Sequence, residues 1–261
     1  MTISDTSFLI VYVAVLVAIA RPLGLFMMAV YEGRRTLLHP VIRPLEAGIY
    51  RVAGIDERRE QGWRAYLFAL LGFNLAGFLL LYFILRVQGS LPLNPEDLPG
   101  MKPSLAFNAA VSFTTNTNWQ SYGGETTASY FSQMVGFTFQ NFVSAAVGMA
   151  VLVALIRGLS RHSANTVGNF WVDLTRGTLY ILLPMSFIFA LFLVSQGVIQ
   201  NFDSYRSVTT VEGAEQVLAI GPAASQVAIK QLGTNGGGFF NANSAVPFEN
   251  PTAWTNLLEM L

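Results

Sequence analysis

Of the 261 residues 52% are hydrophobic, only 11% are charged, and the mean hydropathy is +0.47. A water-exposed surface needs a denser mix of charges, so lipid is the expected solvent. A formal charge of zero and an isoelectric point near 6.7 give no electrostatic footprint for nucleic acid. With no cysteine and only two histidines, disulfides, thiolate sites and zinc clusters drop out as explanations.

The N-terminal Met1–Thr6 stretch carries Asp5 and no basic residue, which does not fit a secretory signal, so the first apolar helix is expected to be retained. Crossing the roughly 30 Å hydrocarbon layer takes about 20 mostly apolar residues. Four segments qualify: Phe8–Val30, Tyr66–Leu85, Tyr130–Ile156 and Leu179–Val198. The first is interrupted by Arg21-Pro22, and the other three carry no charge. A fifth hydrophobic helix is expected to begin near Thr252 and to be cut at Leu261, so the chain reads as a fragment.

Basic residues concentrate on the inner side of a membrane protein. The connection 31–65 holds Arg34, Arg35, Arg43, Arg51, Arg58, Arg59 and Arg64, and the link 157–177 adds Arg157, Arg161 and Arg176. The other two connections hold only Arg86 with Lys102 and Arg206 with Lys230. The expectation is an N-terminus outside, with 31–65 as a basic cytoplasmic connection.

Each outer connection contains an apolar run too short to span. Pro103-Ser104 opens Leu105–Phe113, and Pro222 opens Ala223–Leu232. Proline suits a first helical turn, where its missing N–H would lack a partner anyway. Both runs read as half-membrane pore helices followed by polar re-entrant loops, 103–121 and 222–244. Laying Thr115-Asn116 on Thr234-Asn235 gives an internal repeat of helix, pore loop, helix, over 66–156 and 179–261.

The loops read Thr-Thr-Asn-Thr-Asn-Trp-Gln-Ser at 114–121 and Gly-Thr-Asn-Gly-Gly-Gly-Phe-Phe-Asn-Ala-Asn-Ser at 233–244, without a carboxylate. Neutral oxygens, above all main-chain carbonyls, can replace the water around a monovalent cation and still release it. Divalent ions would ask for anionic oxygen. Gly236, Gly237 and Gly238 permit backbone that side chains resist. Non-helical backbone at membrane depth is tolerated where it lines a pathway, and the negative end of a short helix favours a cation there. Trp119, Phe239 and Phe240 are expected to wedge the loops against the helices.

The stretches 115–122 and 233–244, with Ala-Arg-Pro-Leu-Gly at 20–24 and Pro-Phe-Glu-Asn-Pro-Thr at 247–252, resemble signatures of the Kdp-type potassium-binding subunit family. That family sits in the superfamily of K⁺ transporters. The resemblance implies an all-α integral membrane fold of helix–pore loop–helix repeats, two of four present here, plus an extra N-terminal helix over 1–30. It further implies a K⁺ selectivity filter at Thr115, Asn116, Thr117, Asn118, Gly233, Thr234, Asn235, Gly236, Gly237 and Gly238, with Asn243 at the far end of the loop. K⁺ would be the sole bound ion, held by main-chain carbonyls, with no transition-metal site and no catalytic residue. ATP and Mg²⁺ would be used by a P-type ATPase partner (KdpB), alongside a small subunit (KdpC) and a short accessory peptide (KdpF). The setting implied is the bacterial inner membrane, with lipid and no nucleic acid as further contacts. K⁺ taken from outside would pass through an intramembrane tunnel to the ATPase.

Other features keep two readings each. Arg21 marks a functional site or snorkels to an interface. Gln133, Gln140 and Ser144 line a pathway or join helices by hydrogen bonds, the second being favoured. Gly72, Gly77, Gly136 and Gly148 suit close helix packing. The 34–64 arginines form an orienting surface or touch anionic lipid or a partner. Glu125 is a cation attractor or a solvated rim residue. The rival function is a Trk-like or Ktr-like transporter not coupled to ATP. An enzyme would require converging His, Asp or Glu on the helices, which the sequence lacks.

Overall fold

A computed structural model describes residues 3–162 and 165–261; Met1 and Thr2 of the expected extra helix lie outside them. Among the described residues, four helices are long and apolar enough to cross a membrane. The first, α1 (Ile3–Tyr31), is a single helix that runs through Pro22. The single helix agrees with the expectation over 1–30: Arg21-Pro22 breaks the apolar run but not the helix, since proline removes one main-chain hydrogen bond. No residue of its most apolar window is buried, and Arg21 is exposed.

The connection 31–65 is more ordered than a basic linker. It contains α2 (His39–Ala53), which begins with Pro40 in its first turn and ends at Gly54, whose φ of 65° closes the helix through its N–H to the Tyr50 carbonyl. Next comes α3 (Trp63–Val87), then the short α4 (Pro103–Thr114). The third long helix, α5 (Ser132–Ser160), is π-wound over Ser132–Thr138 and α-helical beyond. The fourth, α6 (Phe170–Ser195), begins well before the expected Leu179 and stops short of Val198. Hydropathy placed the start too late because Asp173 and Arg176 lower the average. Both charges are paired inside the protein: Asp173 with Arg157 at 2.6 Å, and Arg176 with Glu46 at 2.9 Å. A π-wound stretch over Gly177–Leu182 precedes Pro184, the residue that cannot donate back into the helix.

A two-stranded antiparallel hairpin, β1 (Arg206–Thr209) with β2 (Glu215–Leu218), follows, pairing Arg206 with Leu218 and Thr209 with Glu215. This exposed ribbon is an addition to the all-helical expectation. The short α7 (Ala223–Leu232) and α8 (Ala253–Met260) complete the order. Pro222 is the N-cap of α7 and lies just outside its first turn. Thr252 caps α8 through a reciprocal bond with Thr255.

The connections sort onto two faces. Gln61 N–H donates to the Gly168 carbonyl at 2.6 Å, and Val167 N–H donates to the Gln61 carbonyl at 2.9 Å, tying the two arginine-rich connections together. At the other end Tyr130 donates to the carbonyls of Asp203 and Ile220, each at 2.7 Å, and Tyr205 donates to the Glu125 carbonyl at 2.6 Å. The short helices pack as a matched pair. Ala106, Ala109, Ala110 and Phe113 of α4 bury against Leu81 and Leu85 of α3 and Phe137 of α5. In the same manner Ala224, Val227 and Ala228 of α7 bury against Leu193 of α6. Small residues let both short helices lie close against long ones.

Candidate ion-binding loops

The two loops leave their helices by the same backbone path. At the end of α4, Thr115 (φ −85°, ψ 7°) donates to the carbonyls of Val111 and Phe113; at the end of α7, Gly233 (φ −82°, ψ 0°) donates to those of Ile229 and Gln231. Thr117 and Asn118 N–H then fold back on the Ser112 carbonyl at 3.0 and 3.2 Å. Asn235 and Gly236 fold back on the Lys230 carbonyl at 3.0 and 3.3 Å. Left-handed residues recur at Asn116 (59°) and Asn118 (53°), and at Thr234 (55°) and Gly236 (77°). Thr115 therefore corresponds to Gly233 and Asn116 to Thr234. The sequence overlay of Thr115-Asn116 on Thr234-Asn235 is off by one residue, because it matched letters where the backbone repeats. A β-branched threonine at positive φ is a strained placement; Thr234 is held there by its N–H bond to the Gln231 carbonyl at 3.0 Å.

The loops touch each other. Asn116 Nδ2 donates to the Gly233 carbonyl at 3.2 Å, Asn235 Nδ2 donates to Asn116 Oδ1, and the Gln120 amide exchanges two bonds with the main chain of Gly238, at 3.1 and 2.9 Å. A polar strip of α5 ties them from behind. Ser144 Oγ donates to Asn116 Oδ1 at 2.8 Å, Asn118 Nδ2 to Asn141 Oδ1 at 2.6 Å, and Asn235 Nδ2 to Ser144 Oγ at 3.1 Å. At ~1.5 Å rise per residue, Asn141 and Ser144 lie roughly 14 and 18 Å from the Ser132 end of α5, close to the middle of a bilayer-length helix. Within the π-wound stretch the Gln133 carbonyl accepts from Thr138 Oγ1 at 2.8 Å and Gln226 Nε2 at 3.1 Å.

Thr115, Thr117, Thr234 and Gly236 are exposed, while Asn118, Gly233, Asn235 and Gly238 are buried. Asn116 and Gly237 are half-buried. A side chain added at Gly236 would meet nothing within 4 Å, whereas one at Gly237 (φ 38°) would meet the Asn118 carbonyl oxygen at 2.8 Å. The exposed loop face is thus open at Gly236 and shut against the neighbouring loop at Gly237. Asn243 stands in a short 3₁₀ turn, Asn243–Ala245, with its Oδ1 beside Gly238. The side-chain oxygens of Asn118, Asn235 and Asn243 are buried without a donor among the described residues, which suits a site that offers oxygen to a cation.

Some expectations change. Phe239 and Phe240 are fully buried with Tyr130 and Ala223, but Trp119 is 51% exposed. Gln133 and Ser144 join elements by hydrogen bonds, and Gln140 lies against Gly77, where an added Cβ would sit 3.0 Å from its Oε1. Gly136 is tight against Leu81 at 3.0 Å, yet Gly72 and Gly148 have open space beside them and close no packing. Glu125 is neither free nor merely solvated: its Oε2 accepts from Asn241 N–H at 2.8 Å. Lys230, counted among the charges of the second outer connection, is buried in α7 and bonded to Glu249 at 2.6 Å. Sequence reasoning missed Asn141, Ser112, Gln226 and Glu249. Asn141 stands one residue after Gln140 and could have been found by the spacing that selected Ser144; Glu249 lay inside the 247–252 signature, but nothing there pointed to Lys230 as its partner.

On the arginine-rich face, Glu46 of α2 is the hub. It accepts from Tyr50 and Tyr180 at 2.8 Å each, from Arg176 at 2.9 Å, and it pairs with Arg43 at 3.0 Å. Burial pushes its carboxyl up, but the bonds from Arg176, Arg43, Tyr50 and Tyr180 outweigh that and bring it down to about 2. Arg43 also grips Glu57 through two bonds, at 2.9 and 2.6 Å, and holds that carboxyl below its ordinary value.

The family described as "Potassium-transporting ATPase A subunit" matches residues 10–261. The chain belongs to that family. It is 61% identical over 261 residues to a potassium-transporting ATPase potassium-binding subunit of Methylorubrum extorquens, covering 100% of this chain and 46% of that protein. The protein of the same name from Rhodospirillum centenum is 65% identical over 251 residues, 96% of this chain and 44% of that one. The one from Pseudomonas entomophila is 60% identical over 256 residues, 98% and 45% respectively. The chain spans about half the length of the curated relatives it matches. Membership in this family, with four membrane-length helices, makes it part of a multi-pass membrane protein.

Proposed function

We propose that the loops 115–118 and 233–238 form two adjoining quarters of a potassium selectivity filter, in the potassium-binding subunit of an ATP-driven Kdp uptake system. One observation carries most of the weight: two short helices aim their C-termini into one polar cluster and leave it by the same backbone path, with left-handed residues at matching positions. Such a path turns successive carbonyls toward a common side, and the helix ends add partial negative charge there. The names of the relatives favour this reading over a Trk-like or Ktr-like transporter.

In this reading the ion loses water to main-chain oxygens of Thr115–Asn118 and Gly233–Gly238, with two further quarters closing the ring as the family resemblance implies. Asn243 stands behind the filter, beside Gly238. ATP hydrolysis, and the Mg²⁺ it needs, belong to a P-type catalytic subunit, with a small subunit and a short accessory peptide as further associates. The arginine-rich face lies in the cytoplasm and the loops open outward, so α1 starts outside the bacterial inner membrane.

Gly236→Asp tests the filter in the assembled full-length complex. Its side chain enters the open space beside Gly236 with a negative charge, and the expected result is broadened or lost discrimination of K⁺ from Na⁺. Unchanged K⁺ affinity and discrimination would refute it.

A further inference from the structure

The second loop is held by a buried ion pair, and among the described residues the first loop has none. Lys230 and Glu249 are 1% and 0% exposed, and Lys230 Nζ donates to Glu249 Oε2 at 2.6 Å. The other oxygen of Glu249 accepts N–H bonds from Phe239 at 2.8 Å and Phe240 at 3.2 Å. The Lys230 carbonyl accepts the N–H groups of Asn235 and Gly236. One residue pair therefore grips the loop at both ends: Lys230 through its main chain at the start, Glu249 through its carboxylate just past Gly238. At the corresponding place in the first loop stands Ser112, a neutral residue whose Oγ donates to the Trp119 carbonyl at 2.9 Å.

The difference follows from the sequences of the loops. Thr115–Asn118 is built of threonine and asparagine, whereas the second loop contains three successive glycines, whose backbone loses more freedom on being fixed. A loop that flexible needs external anchors to keep its carbonyls in register. Burying two charges is costly, and as a source of bare stability such a pair seldom improves on apolar packing. Its bonds here are spent on fixing the course of the main chain.

We propose that Lys230 and Glu249 are positioning residues for ion discrimination, with Glu249 Oε1 setting the carbonyl geometry of Gly236–Gly238 from behind; this rests on the filter reading above. The essential element is the acceptor at 249, and Lys230 is the charge that lets an ionised acceptor stay buried.

Two variants of the full-length subunit in its assembled complex separate acceptor from charge. Lys230→Met/Glu249→Gln removes both charges and keeps a carbonyl oxygen facing Phe239 and Phe240. Lys230→Met/Glu249→Leu is equally neutral and has none. Na⁺ competition against K⁺ is titrated on both, with assembly followed by size exclusion. The first is expected within about twofold of wild type, and the second to lose on the order of tenfold in K⁺ over Na⁺ discrimination. Equal discrimination in the two overturns the proposal. If the leucine variant does not assemble, Glu249→Asp decides: it keeps the charges but withdraws the acceptor by one methylene, and unchanged discrimination overturns the proposal. Gly236→Asp is run in parallel. If it too leaves discrimination untouched, the filter reading falls and takes this proposal with it; if it abolishes discrimination while the two double variants behave alike, only the role of the pair falls.

Discussion

Gly236 and Gly237 are neighbours in one loop, both at positive φ, 77° and 38°, yet they predict different responses to the same small change. Alanine at either position places a side chain in the left-handed region, at about 1–2 kcal/mol. At Gly236 nothing further happens, because the new methyl points into open space. At Gly237 the methyl would sit 2.7 Å from Asn118 Cβ and 2.8 Å from the Asn118 carbonyl oxygen, and overlap of that kind adds about 1–3 kcal/mol. The added cost is relieved most directly by moving the two loops apart, since Asn118 belongs to the other one. If that separation is what an ion between them feels, Gly237→Ala should bind K⁺ about 5- to 150-fold more weakly than Gly236→Ala, at tenfold per 1.4 kcal/mol. The assay is K⁺ titration of the two variants in the assembled complex, with thermal melting alongside to detect loss of fold. Equal affinities in two equally stable variants would refute the argument that contact between the loops shapes the site.

Three further outcomes follow from other parts of the molecule. The Glu46 carboxyl ordinarily titrates at 4.5 and is brought to about 2 in the fold, so its contribution is complete above about 4.5 and is lost as pH falls toward 2; amide exchange in α2 should rise over that window, and in Glu46→Gln this step should vanish. Asp173→Asn neutralises the carboxylate that Arg157 grips through two bonds, at 2.6 and 2.9 Å, keeps one acceptor oxygen and leaves the half-buried guanidinium without its counter-charge; a loss of roughly 3–5 kcal/mol is expected in unfolding experiments, and a loss below about 1 kcal/mol would contradict the pairing. Gly148→Ala, where an added Cβ meets nothing within 4 Å, should be neutral or stabilise α5 by roughly 0.5–1 kcal/mol, while a marked loss would show that a neighbour reaches that surface.

The membrane helices were legible because each has a long run of apolar side chains, a property of the chain itself. Their ends were less so. Hydropathy averages penalise Asp173 and Arg176 equally whether they face water or an opposite charge, and only the folded pairings with Arg157 and Glu46 let α6 begin at Phe170. The short helices were found from proline followed by an apolar run, yet the correspondence between the loops slipped by one residue. Identity of Thr-Asn in both is a matter of letters, while the repeat is one of φ angles and returning N–H bonds to Ser112 and Lys230. The residues that fasten the loops were the hardest to read. Asn141 pairs with Asn118 across 23 positions and Glu249 with Lys230 across 19, and no local pattern announces a bond between residues that distant.

The proposed filter places an ion among main-chain oxygens of both loops. The direct measurement is a structure of the full-length assembled complex in K⁺, repeated with thallium as a heavy substitute that can be located unambiguously. Density ringed by oxygens of Thr115–Asn118 and Gly233–Gly238, and depleted when Na⁺ replaces K⁺, is the predicted result. Bound ions found only elsewhere in the subunit, with this cluster the same in either salt, would contradict it.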